Sequence, residues 1–493
     1  GSARAYALTC LDFDEAAHRY GRLGGFAHIK TLVDRLRDDA GPANTLLLDG
    51  GDLWQGSWPA HRSKGAVMVD LANQLGIDAM TAHWEFTYGE SDFRKTLAGF
   101  KGAFLAQNVF LTDDAAFNGA AAFDAQNGRV FTPSMIREIG GRRLAVIGQC
   151  FPYQPIAHPR RLVPDWTFGI REAELQKVVD EARDAGRADA VLLLSHSGMD
   201  VDLKLASRVR GIDVILGGHT HDCTPAPTVV TNPGGRTLVT SGGSNGKFIA
   251  VLDLDVGQGR VNGLRYTLVP IFSNLLKPDP GVAAAVAAAA EPDRAMLGEK
   301  LAPATDLLFR RGNFSGTMDR VICDALLQQL GAQIALSPGF RWGPTQLAGE
   351  DVTMGFVLAH TALTYPDVYV QEMTGEQLKG VLEDVCDNLF NPDPYVQQGG
   401  DMVRVGGMAY TCSPAEKIGN RISDMVLSDG SKLEAGKTYR VAGWASVNLE
   451  QTGKPVWEVV AAHLRAAKGA APAGSDGVRV RGVDGNPGYL EAA

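Results

Sequence analysis

The first 275 residues alternate short apolar runs with longer amphipathic segments. The runs are "NTLLLD" (44–49), "GIDAMT" (76–81), "RRLAVIG" (142–148), "DAVLLLS" (189–195) and "IDVILGG" (212–218). Helical periodicity lies between them, for example in residues 28–41 and 171–186. Buried strands joined by helices predict an α/β layered N-terminal domain over residues 1–277, with functional loops at the carboxyl ends of the strands.

The pattern changes after residue 277. Asp279 can cap a helix, Pro280 suits its first turn and an alanine run follows, which predicts a linking helix over 278–303. A flexible linker is the alternative. Residues 304–493 mix helical segments such as "MDRVICDALLQQLG" with strand-like segments such as "DVYVQEM", which predicts an α+β C-terminal domain.

Composition narrows the class of protein. A chain of 493 residues is expected to form two or three domains, and its net charge of -9 without a basic block argues against a nucleic-acid partner. No apolar run approaches the roughly 20 residues of a membrane-spanning helix, so we expect no membrane crossing. The six cysteines lack C-x-x-C spacing, which leaves the redox compartment open.

Potential metal ligands follow four of the predicted strands. They are Asp52, His83, His196, His219 and His221. A single buried histidine is commonly a core residue. A parallel sheet, however, brings the ends of its strands to one edge, so we expect these side chains to converge there. The other six histidines, His158 among them, show no such placement.

A carboxylate grouped with imidazoles suits Mn, Fe, Zn or a similar divalent ion. Two ions that share a carboxylate can activate water and stabilise a tetrahedral anionic centre. Asp52 is the natural bridge, because one carboxylate can give an oxygen to each ion. The pattern therefore predicts two-metal hydrolysis.

The motifs "GGD..QGS", "SHSG" and "GGHTH" resemble those of the calcineurin-like metallophosphoesterases, and in this order the 5'-nucleotidase family. The resemblance implies a metallophosphoesterase-like N-terminal domain, a linking helix and a 5'-nucleotidase-type C-terminal substrate domain. It also implies that Arg341, in "ALSPGFRWG", holds the anionic substrate.

One departure from the family lies beside the metal ligands. The family motif G-N-H-E supplies an asparagine ligand and then a catalytic histidine, where this chain has His83 and Trp84. Thr87 stands where nucleotidases usually carry the aspartate that orients that histidine. In the C-terminal domain, "YRVAGWASVNLEQTG" replaces the usual G-G-D-G-Y-type stretch that stacks the base. The histidine–aspartate pair that serves phosphate-ester cleavage and the segment that binds the base are therefore both replaced in this chain.

Together with "CLDFDEAAHRYGRLGGFAH" and "NLFNPDPYVQQGGDMVRVGG", these departures resemble the SoxB family of sulfate thiohydrolases of the Sox thiosulfate-oxidation system. The resemblance implies a dimanganese enzyme in the periplasm. Its substrate would be a cysteine S-sulfonate on a SoxYZ-type sulfur carrier protein, from which it releases sulfate. On this interpretation Asp52, His83 and Arg341 are catalytic.

Substrate-binding residues are predicted from chemistry. Arg341 and Arg404 can bind sulfonate oxygens through their guanidinium groups, although each could also be a structural arginine. Trp84, Tyr395 and further tryptophans such as Trp166 could line a narrow channel, or could belong to the core.

The family's first strand ends in a D-x-H motif, and residues 1–30 contain none. We therefore expect the chain to lack its natural N-terminus. His221 would then remain as the main ligand of the first metal, and Asp52, His83, His196 and His219 would hold the second.

Two alternatives stay open at this point. A 5'-nucleotidase or another phosphoesterase is disfavoured by the His83-Trp84 pair. The second is a metal-poor binding protein that only docks the carrier, and its low metal content would distinguish it from a dimetal hydrolase.

Overall fold

The structure is a computed structural model that describes residues 13–257, 259–448, 453–473 and 477–482. Two segments used in the sequence analysis lie outside the described residues. They are residues 1–12, part of the segment searched for a D-x-H motif, and residues 449–452 of the stretch "YRVAGWASVNLEQTG". The chain forms two compact units. Residues 22–55 and 59–292 form the N-terminal unit, and residues 293–493 form the C-terminal unit with segments 1–21 and 56–58.

The helices are α1 (Phe13–Tyr20), α2 (Phe26–Ala40), α3 (Trp58–Arg62), α4 (Ala66–Leu75), α5 (Glu90–Leu97), α6 (Asp113–Phe117), α7 (Gln154–Ala157), α8 (Glu172–Asp184), α9 (Met199–Arg208), α10 (Pro280–Ala290), α11 (Arg294–Leu297), α12 (Thr317–Leu330), α13 (Met354–Thr361), α14 (Gly375–Phe390) and α15 (Val456–Ala466). Short 3-10 turns occur at Pro42–Asn44, Trp84–Tyr88, Arg160–Leu162, Glu291–Asp293 and Pro394–Val396.

The strands are β1 (Leu48–Asp49), β2 (Ala79–Met80), β3 (Ala103–Phe104), β4 (Phe110–Leu111), β5 (Ser134–Ile139), β6 (Arg142–Gln149), β7 (Trp166–Thr167), β8 (Ala190–Ser195), β9 (Val214–Gly217), β10 (Thr228–Asn232), β11 (Gly235–Ser241), β12 (Phe248–Gly257), β13 (Arg260–Pro270), β14 (Lys300–Pro303), β15 (Ile334–Ser337), β16 (Asp351–Thr353), β17 (Val368–Thr374), β18 (Arg404–Gly406), β19 (Met408–Cys412), β20 (Ile422–Leu427), β21 (Thr438–Trp444) and β22 (Val478–Val480).

All five apolar runs of the N-terminal unit contain strands, in β1, β2, β6, β8 and β9. The sequence led us to expect one shared sheet, but these strands lie in two sheets. Strands β1, β2 and β3 form a parallel three-stranded sheet, and a six-stranded sheet has the order β10-β11-β9-β8-β6-β5. Within the larger sheet β6, β8, β9 and β11 are parallel.

A shared apolar core joins the two sheets. Ala79 and Leu105, at and beside the short strands, pack in one cluster with Met135, Val146 and Leu194 of the large sheet. Burying a leucine or valine side chain stabilises a fold by about 1.5–3 kcal/mol relative to exposure. The core therefore fixes both sheets in one N-terminal unit.

The strand registers align the carboxyl ends that carry the predicted ligands. Asp49 of β1 pairs with Met80 of β2, and Ser195 of β8 pairs with Gly217 of β9. The loops that follow these pairs contain Asp52, His83, His196, His219 and His221.

The predicted linking helix is shorter than expected. The Asp279 side chain caps α10 by accepting a hydrogen bond from the Val282 backbone, at 2.8 Å, and Val282 packs with residues of α2 and α4. The helix ends at Ala290, because Pro292 follows within a 3-10 turn. Residues 300–303 of the predicted segment form strand β14 instead.

The C-terminal unit has the predicted α+β composition. A mixed sheet has the order β17-β21-β15-β18, and a second sheet has the order β20-β19-β22. Leu378 and Leu382 of α14 pack on Ile334 of β15 and Val441 of β21. A capping box between Thr374 and Gln377 begins α14.

None of the helices in the described part of the chain combines the length and the apolar character needed to span a bilayer.

Candidate metal centre

Asp52 lies in a sharp turn that follows β1. Gly51 has a φ of 98° and donates its backbone N–H to Asp49 Oδ1 at 2.9 Å. A Cβ atom at Gly51 would lie 3.0 Å from His196 Nδ1 and 3.1 Å from the Thr81 carbonyl oxygen. The turn therefore needs glycine here, both for its conformation and for close contact with the neighbouring loop.

Glu85 joins the loop after β1 to the loop after β2. Its buried carboxylate accepts hydrogen bonds from the backbone N–H groups of Leu53, at 2.6 Å, and His83, at 2.9 Å. Trp84 adds a second link, because its backbone N–H donates to Asp52 Oδ1 at 3.0 Å. Burial, together with the nearby charge of Asp52, raises the pKa of Glu85 to about 7.

Three of the predicted histidines converge. One nitrogen from each of His83, His196 and His219 lies within 4.8 Å of the corresponding nitrogens of the other two, and all three side chains are buried. Asp52 completes the group, with Oδ1 3.2 Å from His83 Nδ1 and Oδ2 3.1 Å from His196 Nε2. One carboxylate thus faces two imidazoles.

The backbone is left-handed at three of the predicted ligands. Asp52 has a φ of 65°, His219 of 70° and His221 of 62°. Nine non-glycine residues in the described ranges have a positive φ, and these three lie at one site. Such conformations typically cost about 1–3 kcal/mol each and concentrate at functional sites. Here they let both histidines of "HTH" turn toward the same region.

The orientation of His196 leaves one nitrogen available for an ion. Its Nδ1 lies 2.5 Å from the Gly50 carbonyl oxygen. Because a carbonyl only accepts hydrogen bonds, Nδ1 must carry the hydrogen, and in the neutral ring Nε2 then has a lone pair directed toward Asp52. Metal-binding histidines commonly donate their other N–H in this way.

The charges of the group support an ionised Asp52. Burial alone raises the pKa of Asp52, but attraction from His196 and His83 and hydrogen bonds from His196 and His221 together hold the pKa well below its ordinary value. For His196, burial lowers the pKa, and the contact with Asp52 outweighs this and raises the pKa above its ordinary value. An anionic oxygen therefore lies among basic nitrogens.

These residues fit a divalent metal ion. The donors are a carboxylate and imidazoles, they are mostly buried, and their atoms lie within one small region. That donor set suits Mn, Fe or Zn. His221 lies outside the group of three histidines, although its hydrogen bond to Asp52 places it beside them.

His158, which the sequence pattern did not predict, belongs to this site. It is 3% exposed, and its Nε2 lies 2.8 Å from His83 Nε2. It follows the short helix α7 in the loop after β6 rather than standing directly at a strand end. The only local signal is its position in an aromatic, proline-rich segment, "FPYQPIAHP".

The predicted aromatic residues divide between the site and the core. Trp84 is 8% exposed, and its ring meets the His158 ring edge to face with centroids 4.4 Å apart. Trp166 is a core residue, 1% exposed and packed against Phe131 and Phe86, so we do not retain it as a channel wall.

Arg404, which we predicted to bind substrate, lies in a buried ion-pair network of the C-terminal unit, and its role in binding substrate stays a prediction. It is 2% exposed, its Nη2 lies 2.8 Å from Asp401 Oδ2, and its Nε lies 3.2 Å from Asp319 Oδ2. Asp319 also accepts a hydrogen bond from Arg310 Nε at 2.7 Å. Two arginines and two aspartates therefore form a buried, charge-balanced network in the C-terminal unit.

Arg341 and Tyr395 also lie in the C-terminal unit, and each is partly exposed. Arg341 follows β15 by four residues. It lies near Asp401, whose pKa is raised above the ordinary value by burial, and the charge of Arg341 opposes that rise. Tyr395 lies in a 3-10 turn, where its backbone N–H donates to Asp393 Oδ1 at 2.8 Å. Their roles in binding substrate stay predictions.

Known proteins share the sequence and fold of both units. Residues 307–458 match the family described as 5'-nucleotidase, C-terminal domain. The trifunctional nucleotide phosphoesterase protein YfkN of Bacillus subtilis is 24% identical over 86% of this chain and 30% of its own length. The rat 5'-nucleotidase is 27% identical over 47% of this chain and 41% of its own length. The chain thus spans less than half the length of these two relatives.

Solved structures match nearly the whole chain. The 5'-nucleotidase precursor of Thermus thermophilus covers 93% of this chain and is itself 94% covered, with a TM-score of 0.80 and 24% identity, which shows a common fold. The sulfate thiohydrolase SoxB of Thermus thermophilus is 34% identical, with a TM-score of 0.90 over 98% of this chain and 88% of that chain. The chain therefore belongs to the SoxB-like 5'-nucleotidase family, hydrolases that combine a calcineurin-like phosphoesterase domain with a 5'-nucleotidase C-terminal domain.

Proposed function

We propose that this protein is a dimetal hydrolase that cleaves a cysteine S-sulfonate on a sulfur carrier protein and releases sulfate. The observation that carries the proposal is the group formed by the buried His83 and His196 and the partly buried Asp52, with Trp84 beside it where nucleotidases carry an imidazole. The likeness to a sulfate thiohydrolase over 98% of the chain supports the same assignment.

The metal-holding residues in this proposal are Asp52, His83, His196, His219 and His221. Asp52 would contact both ions, because one carboxylate can give an oxygen to each. Its Oδ1 lies beside His83 and its Oδ2 lies beside His196. Divalent ions, which we propose to be two Mn²⁺, would supply Lewis acidity and activate water for hydrolysis.

The reaction forms an S–O bond and breaks the bond between the sulfonate sulfur and the carrier sulfur. One water is consumed, and the products are a carrier thiol, sulfate and a proton. The electrons of the broken bond go to the carrier sulfur. A thiol has an ordinary pKa of about 8.5, so this leaving group needs less help from a general acid than a nucleoside alkoxide does. That difference is consistent with an indole at position 84.

The chain's own residues position the reactants. Glu85 fixes the two loops that carry Asp52 and His83, and the Gly50 carbonyl orients His196. From the motif resemblance, we propose that Arg341 binds the sulfonate oxygens, since a guanidinium suits a planar pair of anionic oxygens. Trp84 and Tyr395 are proposed to contact the carrier segment.

The proposed partner is a SoxYZ-type sulfur carrier protein, and the proposed compartment is the periplasm. Both come from the resemblance to the sulfate thiohydrolases.

A metal-dependence assay tests the proposal. The protein is loaded with Mn²⁺ and incubated with an S-sulfonated carrier, and sulfate is measured by ion chromatography. We expect sulfate release that stops on chelation, returns with Mn²⁺, and is absent in Asp52→Asn. A variant at exposed His18, His18→Ala, is the matched control. Binding of the carrier without metal-dependent sulfate release would contradict the proposal.

A further inference from the structure

His83 uses its two ring nitrogens on opposite sides. Nδ1 faces the candidate metal centre, at 3.2 Å from Asp52 Oδ1 and 3.2 Å from His196 Nε2. Nε2 faces away from that centre and lies 2.8 Å from His158 Nε2. The Phe151 ring lies beside the His83 ring with centroids 4.0 Å apart, which restricts rotation of the imidazole.

A histidine ligand must be in the correct tautomer. A neutral imidazole carries one N–H, so Nδ1 of His83 offers a lone pair to an ion only when Nε2 carries the hydrogen. For His196, the Gly50 carbonyl accepts the hydrogen of the other nitrogen and enforces this state. For His83, the group at the equivalent position is the His158 imidazole.

We propose that His158 is a positioning residue that accepts the Nε2–H of His83 and thereby fixes the tautomer and orientation in which His83 binds a metal ion. The inference rests on the proposed function, because it takes His83 as a ligand. Acceptors for metal-bound histidines are commonly carbonyls, carboxylates or waters, and their loss typically costs 10–100-fold in metal affinity.

Trp84 gives His158 a fixed position. The two rings meet edge to face at 4.4 Å, and both side chains are buried. The Trp84 backbone N–H donates to Asp52 Oδ1 at 3.0 Å, so the main chain of Trp84 is bonded to the same centre. Trp84, at the position of the family's catalytic imidazole, therefore packs against His158, which in turn acts through the proposed ligand His83.

The experiment measures metal binding rather than turnover. Wild type, His158→Leu, His158→Gln and the control His18→Leu are stripped of metal, and Mn²⁺ binding is titrated by electron paramagnetic resonance of the free ion. Leucine removes the acceptor, whereas the glutamine side-chain oxygen can replace it. We expect about 10–100-fold weaker binding at one site in His158→Leu and near wild-type binding in His158→Gln and His18→Leu. Equal binding in wild type and His158→Leu would overturn the inference.

A double-mutant cycle separates positioning from packing. An asparagine at position 83 would offer an amide oxygen, which needs no tautomer control, so His158→Leu should change affinity less than about threefold in a His83→Asn background. The same loss in both backgrounds would overturn the inference, even if His158→Leu destabilises the fold. Co²⁺ absorption provides a second readout: the spectrum should change in His158→Leu and be restored in His158→Gln.

The outcomes distinguish this inference from the proposed function. A wild-type protein that binds ions and releases no sulfate would overturn the function alone, and the variants would still decide the role of His158. A wild-type protein that binds no ion would overturn both.

Discussion

Trp84 shows how a single position can serve the centre without supplying a reactive group. Its backbone N–H binds Asp52, and its ring supports His158. An indole at the site of a catalytic imidazole therefore contributes order and burial. We relate this to the proposed sulfur leaving group, which has less need of a proton donor.

Asp52→Asn should remove most of the bound metal. The substitution keeps the size of the side chain but replaces one carboxylate oxygen with an amide nitrogen that cannot bind a cation. We expect metal content by mass spectrometry to fall from about two ions per chain, the number a bridging carboxylate serves, to fewer than one. The His18→Ala control should retain the wild-type content, and equal content in Asp52→Asn would contradict the assignment.

The residues that the sequence could predict are those at strand ends. His83, His196 and His219 follow the apolar runs that form β2, β8 and β9, and the structure brings one nitrogen of each together. His158 was missed because a loop, rather than the end of a strand, carries it to His83. The surroundings of Arg404 could not be predicted, because Asp319, which pairs with it, lies 85 residues earlier in the chain, and no local pattern reveals that pairing.

At the scale of elements, the two sheets of the N-terminal unit were not predictable from their runs. Strands β1 and β2 have only two residues each. Whether they join the larger sheet depends on hydrogen-bond pairing between strands far apart in the sequence. The sequence predicted that the ligands converge at one edge of a single parallel sheet, whereas the site combines loops from two sheets. The apolar cluster between the sheets is what brings these loops together.

The capping box of α14 should contribute measurably to stability. Thr374 accepts a hydrogen bond from the Gln377 backbone at 3.2 Å, and the Gln377 side chain accepts one from the Thr374 backbone at 2.8 Å. Thr374→Ala should lower the free energy of unfolding by about 1 kcal/mol in urea denaturation, because it leaves a helix N–H without its acceptor. Thr374→Ser keeps the hydroxyl and should lose little; equal losses would argue against the cap.

The buried arginine-aspartate network should be far more sensitive than a surface pair. Asp319→Asn leaves Arg310 and Arg404 without their shared carboxylate, and we expect a loss of about 3–5 kcal/mol. The control is Asp253→Asn, whose partner Arg265 is exposed and 3.8 Å away, with an expected loss of at most about 1 kcal/mol. Chemical denaturation measures both, and similar losses would contradict a structural role for the network.

At the scale of the whole molecule, His360 should couple stability to pH. Burial, with repulsion from Arg310, lowers the pKa of His360 to about 3, from 6.5 in the unfolded chain. The unfolded form therefore binds more protons between these values. This contribution to stability is fully present above pH 6.5 and is lost as the pH falls through that window, by up to about 1.4 kcal/mol per pH unit.

Unfolding free energies at pH 5 and pH 6 should thus differ more in wild type than in His360→Asn, by about 1 kcal/mol. Identical slopes in wild type and His360→Asn would show that His360 does not titrate as described.

We propose that this member of the family retains the metal centre and acts on a protein-bound sulfonate instead of phosphate esters. The most direct measurement compares kcat/KM of one Mn²⁺-loaded preparation for an S-sulfonated SoxYZ-type carrier and for AMP, following sulfate and phosphate together. We expect sulfate release with kcat/KM at least about 100-fold above that for AMP, equivalent to about 2.7 kcal/mol of transition-state discrimination. Rapid phosphate release from AMP with no sulfate from the carrier would contradict it.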